Sequence, residues 1–165
     1  MNEIFFAGGC FWGTQHLFKQ LRGVVATEAG YANGVVDNPT YEQVYTDTTG
    51  YAECVRVEYD PRGVSLELLL ELYFRSIDPL SLNAQGGDVG TRYRTGIYYL
   101  DGDVLPTIRE AYNRVEAACG APLAVEVLPL TRFYAAEEYH QNYLDKHPAG
   151  YCHIPQSLIE AAKKM

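Results

Sequence analysis

Residues 52–60, AECVRVEYD, alternate with a period of two: Val55, Val57 and Tyr59 point one way, Arg56, Glu58 and Asp60 the other. That is the pattern of a half-buried strand, and it places Glu53 on the apolar side. Around this strand the periodicity switches repeatedly. EIFFA at 3–7 reads as a short buried strand, Gly8-Gly9 break it, and helical spacing begins at Phe11 with Leu17, Phe18 and Leu21 following. Residues 24–31 are strand-like. Gly30, Gly34, Asn38 and Pro39 lead into a short helical or irregular stretch from Tyr41 to Asp47. Ser65 suits the N-cap of a helix over 66–76, stopped by Asp78-Pro79. Residues 80–92 form a long Gly-rich loop of the kind that is usually functional when ordered. Then come a strand at 95–100, a helix over 104–119 stopped by Gly120, a strand at 124–130 and a last helix over 135–146 ending before Pro148. The tail 148–156 is loop and carries Cys152, with a short amphipathic end after it.

The first six of these elements follow the order of a split βαβ unit, antiparallel strands with helices on one face. A chain of 165 residues with no linker, repeat or low-complexity run predicts one domain spanning 1–165. With 13 Lys+Arg against 21 Asp+Glu, the net charge of −8 disfavours nucleic acid and anionic membranes as partners. No apolar run reaches about 18 residues, and MNEIFFAGGC lacks a basic leader segment, so the expectation is a cytoplasmic chain without a membrane span. The four cysteines, Cys10, Cys54, Cys119 and Cys152, contain no CxxC pair, so a metal site is not expected. In that compartment a disulfide is transient and catalytic more often than structural.

Cys10 lies between a strand end and a helix start, where unpaired N–H groups and the positive end of the macrodipole favour a thiolate with a lowered pKa. The competing reading is a small apolar filler beside a glycine turn. Phe11 and Trp12 follow it: two large rings that either pack the core or wall a small apolar pocket able to seat a methyl group. Glu53, on an apolar face, must find a cation or keep its proton near neutrality, and a protonated carboxyl there is a proton donor. Tyr41 and Tyr93 stand in polar, Gly-rich surroundings from which a phenol can donate to a substrate atom, and Asp88 either orients such a phenol or serves the turn. His16, six residues past Cys10, lies roughly 240° around a helix and does not pair with the thiol. His140, His147 and His153 could approach only through the fold.

The words AGGCFWG, PTYEQVY, TGYAECVRVEYDP, LNAQGGDVGTRYRTGIYY and FYAAEEYHQNYLDKHPAGYC, in this order, resemble the peptide methionine sulfoxide reductases of the A type. The resemblance runs from about residue 3 to 154. It implies an α+β two-layer sandwich with a ferredoxin-like core, and reduction of methionine-S-sulfoxide, free or in peptides, as a repair reaction. It also implies Cys10 as nucleophile, Phe11 and Trp12 as the methyl pocket, Glu53 as acid, Tyr41 and Tyr93 on the sulfoxide oxygen, and Asp88 holding substrate. Cys152, in the word GYC, would resolve oxidised Cys10 as a disulfide, with thioredoxin as external reductant and no bound cofactor; a monomer is expected. Gln15, Tyr51 and Gly87 stand where many relatives have Glu, His and Asn. A Cys-dependent hydrolase and a non-catalytic sulfoxide-binding module are the competing readings.

Overall fold

The alternation read in the strands sorts the two faces of one principal sheet. In the computed structural model, which describes all residues 1–165, the elements in chain order are β1 (Asn2–Ala7), α1 (Phe11–Lys19), β2 (Val24–Ala32), α2 (Tyr41–Tyr45), β3 (Ala52–Tyr59), α3 (Leu66–Arg75), β4 (Ala84–Gln85), β5 (Asp88–Val89), β6 (Gly96–Tyr99), α4 (Leu105–Cys119), β7 (Glu126–Pro129), β8 (Phe133–Ala135), α5 (Tyr143–Lys146) and α6 (Gln156–Lys163). Single 3-10 turns lie at Thr91–Tyr93, Gly102–Val104 and Glu138–His140. Six strands form the sheet in the order β7-β6-β1-β3-β2-β8, and β4 pairs with β5 as a separate small hairpin. Only the β6–β7 pair is parallel. The result is a mixed α/β fold with six α-helices.

Ile4 and Phe6 of β1 join Val55, Val57 and Tyr59 of β3 in the large core, whereas Phe5, Ala7, Ala52 and Cys54 form a smaller cluster on the opposite face. Phe6 stacks between Phe18 of α1, at 4.8 Å, and Tyr73 of α3, at 4.7 Å, so both helices cover the same face. Ser65 caps α3 by accepting the Leu68 N–H at 3.1 Å, as its position before the apolar stripe predicts. Arg56, on the other face, is held by Glu3, Glu28 and Glu58.

One expected element is absent. Residues 135–146 are not a helix: Phe133–Ala135 is strand β8, followed by the turn Glu138–His140, and only Tyr143–Lys146 is helical. β8 pairs with the free edge of β2, Tyr134 opposite Tyr31. Gln141 then spends its side chain on the Ala29 backbone, accepting from N at 2.9 Å and donating to O at 2.8 Å. Asn142, at φ 53°, ends any helical path. Closing a sheet edge and pairing buried backbone groups outweighs local helix preference here. Within the long loop 80–92 the structure adds the β4–β5 hairpin. No helix is long and apolar enough to cross a membrane.

Candidate active site

Strand register decides where Glu53 emerges. Phe6 of β1 lies opposite Val55 of β3, and Glu53, two residues along on the same face, comes up where β1 has ended and α1 begins. Its carboxylate accepts the Phe11 backbone N–H, a first-turn donor of α1, at 3.2 Å. The residue is 1% exposed. Burial pushes its pKa up to about 8; the Phe11 N–H lowers it, the Asp88 carboxylate raises it, and the Arg92 guanidinium lowers it. Near neutrality the carboxyl therefore holds its proton.

Cys10 is the N-cap of α1, 8% exposed. The expectation that a helix N-terminus would lower its pKa is corrected here. Burial, and then the Glu53 carboxylate, push the thiol well above its usual range, with Asp88 and Cys152 adding to the rise; the Trp12 N–H pulls it down but does not win. The thiol and the carboxyl are thus both protonated near neutrality.

Phe11, Trp12, Tyr41, Asp88 and Tyr93 join Cys10 and Glu53 around one cavity of about 270 Å³, with Tyr151 as its eighth wall. Tyr41 opens α2, whose N-cap is Thr40 in a reciprocal pair with Gln43. Glu137 fixes this helix start from across the sheet, accepting the Tyr41 N–H at 2.9 Å and the Tyr31 hydroxyl at 2.8 Å. Asp88 and Tyr93 come from β5 and the following turn. Arg92 anchors that turn on Asp47 through its N–H at 3.0 Å and its guanidinium at 2.5 Å, and lies over the rings of Tyr45 and Tyr93 at 4.2 and 4.4 Å. Burial raises the Tyr93 phenol to about 12; it also takes Tyr41 up, beyond the usual phenol range. Both remain donors at any working pH.

Cys152 is the one sequence-predicted residue outside this cavity. It is half-buried, and a Cβ on Gly13 would stand 3.3 Å from its Sγ, which puts the thiol against the first turn of α1. All four cysteines are free. Sequence reasoning missed Glu137, His140, Tyr143 and Tyr151. Trp12 donates its indole N–H to His140 Nδ1 at 3.0 Å and stacks on Tyr143 at 3.7 Å. These partners lie some 130 residues away in the chain, and no local pattern marks them. No histidine lines the cavity, and no three His, Cys, Asp or Glu side chains converge as a metal site. A larger cleft of about 470 Å³ opens between α3 and α4, but its Ser65 is spent on the helix cap and it holds no nucleophile.

Known proteins with this pattern agree with one another. The sequence pattern described as "Peptide methionine sulfoxide reductase" matches residues 2–165. "Peptide methionine sulfoxide reductase MsrA" of Clostridium acetobutylicum is 52% identical over 160 residues, which cover 97% of this chain and 99% of that protein. The crystal structure of Mxr1 from Saccharomyces cerevisiae in reduced form superposes with a TM-score of 0.86 at 37% identity, covering 91% of this chain and 87% of that one. Mxr1 in complex with Trx2 superposes with a TM-score of 0.60 at 25% identity, covering 86% and 83%. The chain belongs to the peptide methionine sulfoxide reductase family.

Proposed function

We propose that this protein reduces methionine-S-sulfoxide, peptide-bound or free, to methionine, as a single domain over residues 1–165 working as a cytoplasmic monomer. The observation that carries the reading is a fully buried, protonated Glu53 in the same small cavity as the Cys10 thiol. A sulfoxide oxygen is a poor leaving group, so displacing it at sulfur requires a proton as the S–O bond weakens. Glu53 supplies that proton, and the Tyr41 and Tyr93 hydroxyls donate to the same oxygen. Phe11 and Trp12 seat the methyl group, and Asp88 holds the substrate. The Cys10 sulfur attacks the sulfoxide sulfur and takes over its oxygen. Methionine leaves reduced by two electrons, and Cys10 is left as a sulfenic acid. Cys152 condenses with it, releasing water and forming a Cys10–Cys152 disulfide, which an external dithiol reopens by exchange.

Thioredoxin is the reductant in this reading, supported by the yeast relative's structure with Trx2. No bound cofactor takes part. The order β6-β1-β3-β2, antiparallel throughout, supports a ferredoxin-like split βαβ core beneath the site. The test is an epimer-resolved assay with dithiothreitol: the S-sulfoxide of L-methionine yields methionine, the R-sulfoxide does not, and Cys10→Ser abolishes turnover. Equal reduction of both epimers, or activity in Cys10→Ser, would overturn the reading.

A further inference from the structure

We propose that His153 is the proton acceptor for the Cys152 thiol when that thiol attacks oxidised Cys10; the inference rests on the reading of Cys152 as resolving residue. Gly9 and Gly13, on either side of Cys10, leave a slot that the tail fills. A Cβ on Gly9 would lie 3.2 Å from His153 Nε2. One on Gly13 would lie 3.2 Å from the ring's Cε1 and Nδ1 and 3.3 Å from Cys152 Sγ, so ring and thiol crowd the same point against α1. Both ring nitrogens are buried; the Gly8 carbonyl is the one acceptor that reaches the ring, and neither nitrogen has a side-chain partner. His140, by contrast, has its Nδ1 occupied by Trp12. With one acceptor for two buried nitrogens, a ring lone pair is left over beside the Cys152 thiol, which calls for a reason beyond packing.

The surroundings suit a base. Burial holds the His153 ring below its usual proton affinity, opposed only by the Gly8 carbonyl, so the ring is neutral with a free lone pair near pH 7. The groups facing it are Gly8 and Gly9 from the β1–α1 turn, Gly13 from α1, Gln85 and Gly86 from the β4–β5 hairpin, and Cys152 from its own segment; Tyr151, the titratable neighbour at Gly86, places its hydroxyl there. Cys10 lies between the two glycines, and no charged side chain sets the ring's affinity. Burial raises the Cys152 thiol, so it carries little thiolate by itself at neutral pH, and only the thiolate attacks. In the resting chain the Cys152 S–H donates to the Ile154 carbonyl at 3.5 Å; in the step it turns to the ring, the Cys152 proton passes to His153, the Cys152 sulfur bonds to the Cys10 sulfur, and the sulfenic S–O bond breaks. The departing oxygen recovers the proton from the imidazolium and leaves as water. The oxidising equivalents are those already taken from the sulfoxide.

The experiment mixes the full chain with one equivalent of L-methionine-S-sulfoxide and no reductant, and follows methionine by rapid quench and the Cys10–Cys152 disulfide by mass, in wild type, His153→Gln and His153→Ala. Expected is one methionine per chain at the wild-type rate in all three. Disulfide formation near pH 7 should be roughly 100-fold slower in both variants, the scale of general-base assistance. The wild-type rate of that step should stay level from about pH 7 to 9, while in His153→Gln it climbs about tenfold per pH unit with the thiolate fraction. A wild-type rate in His153→Gln overturns the proposal. So does a slow rate whose pH profile parallels the wild type, which would make the ring a wedge only, and so does loss of the methionine burst in both variants. If wild type itself releases methionine but forms no Cys10–Cys152 disulfide, the resolving assignment fails instead.

Discussion

At the scale of single residues, the site runs on one carboxyl kept dry. Glu53 takes its proton affinity from burial more than from any partner, because its one hydrogen bond, from Phe11 N–H, favours the charged form and is outweighed. The folded chain thus binds this proton up to about pH 8, against an ordinary 4.5 when unfolded. Between those values the native state holds more protons than the unfolded state, so stability falls as pH rises through the window and the loss is complete above it. Glu53→Gln removes this dependence. Denaturant melts at about pH 5 and about pH 9 should show wild type losing more stability than the variant, by an amount on the order of a few kcal/mol. In wild type, kcat/KM for the sulfoxide should decline above about pH 8, where Glu53 gives up its proton. A flat profile there would remove Glu53 as the acid. Its position on an apolar face was legible from AECVRVEYD alone. The raised affinity of Cys10 was not, because it depends first on burial by the folded chain and then on Glu53, Asp88 and Cys152 arriving from three distant segments.

At the scale of elements, local signals worked where a segment's own side chains settle its conformation. The stripe Leu66, Leu69, Leu70 and Tyr73 is buried against the sheet, and Ser65 caps it. Ser65→Ala should cost about 1 kcal/mol, read as a lower denaturant midpoint at unchanged slope with kcat unaltered, since the cap is far from the cavity. The same reasoning misjudged 135–146. That stretch has good helix formers, yet its backbone is claimed by the open edge of β2 and by the two hydrogen bonds between Gln141 and Ala29. Nothing within the segment announces an unpaired strand more than a hundred residues earlier.

At the scale of the whole molecule, the segment after β8 is folded back against the site, bringing Glu137, His140, Tyr143 and Tyr151 to it. Gln15, where many relatives carry Glu, is 1% exposed; its oxygen accepts the Asn142 N–H at 2.9 Å, and its amide nitrogen reaches Thr27 and Gln141 at 3.3 to 3.4 Å. A neutral amide can accept from one strand of this network and donate to another, which a carboxylate cannot. Tyr51 sends its hydroxyl to the Val36 carbonyl. Gln15→Ala removes the acceptor of the Asn142 N–H, and should cost roughly 0.5–1.5 kcal/mol in chemical denaturation. It should also loosen the segment that carries His140, so KM for the sulfoxide rises with the loss of stability. A variant as stable as wild type would show the network to be dispensable.

By itself the sequence determined the strand and helix periods, the position of Cys10 at a helix start, and the apolar setting of Glu53, because each follows from the spacing of side chains along a short stretch. Only the tertiary structure decided that β8 closes an edge, that His140 and Tyr143 hold Trp12, and that His153 lies in the slot between Gly9 and Gly13. Those outcomes depend on which backbone groups and surfaces remain unsatisfied after the sheet has formed, and that balance is struck across the whole chain, not within any window of it.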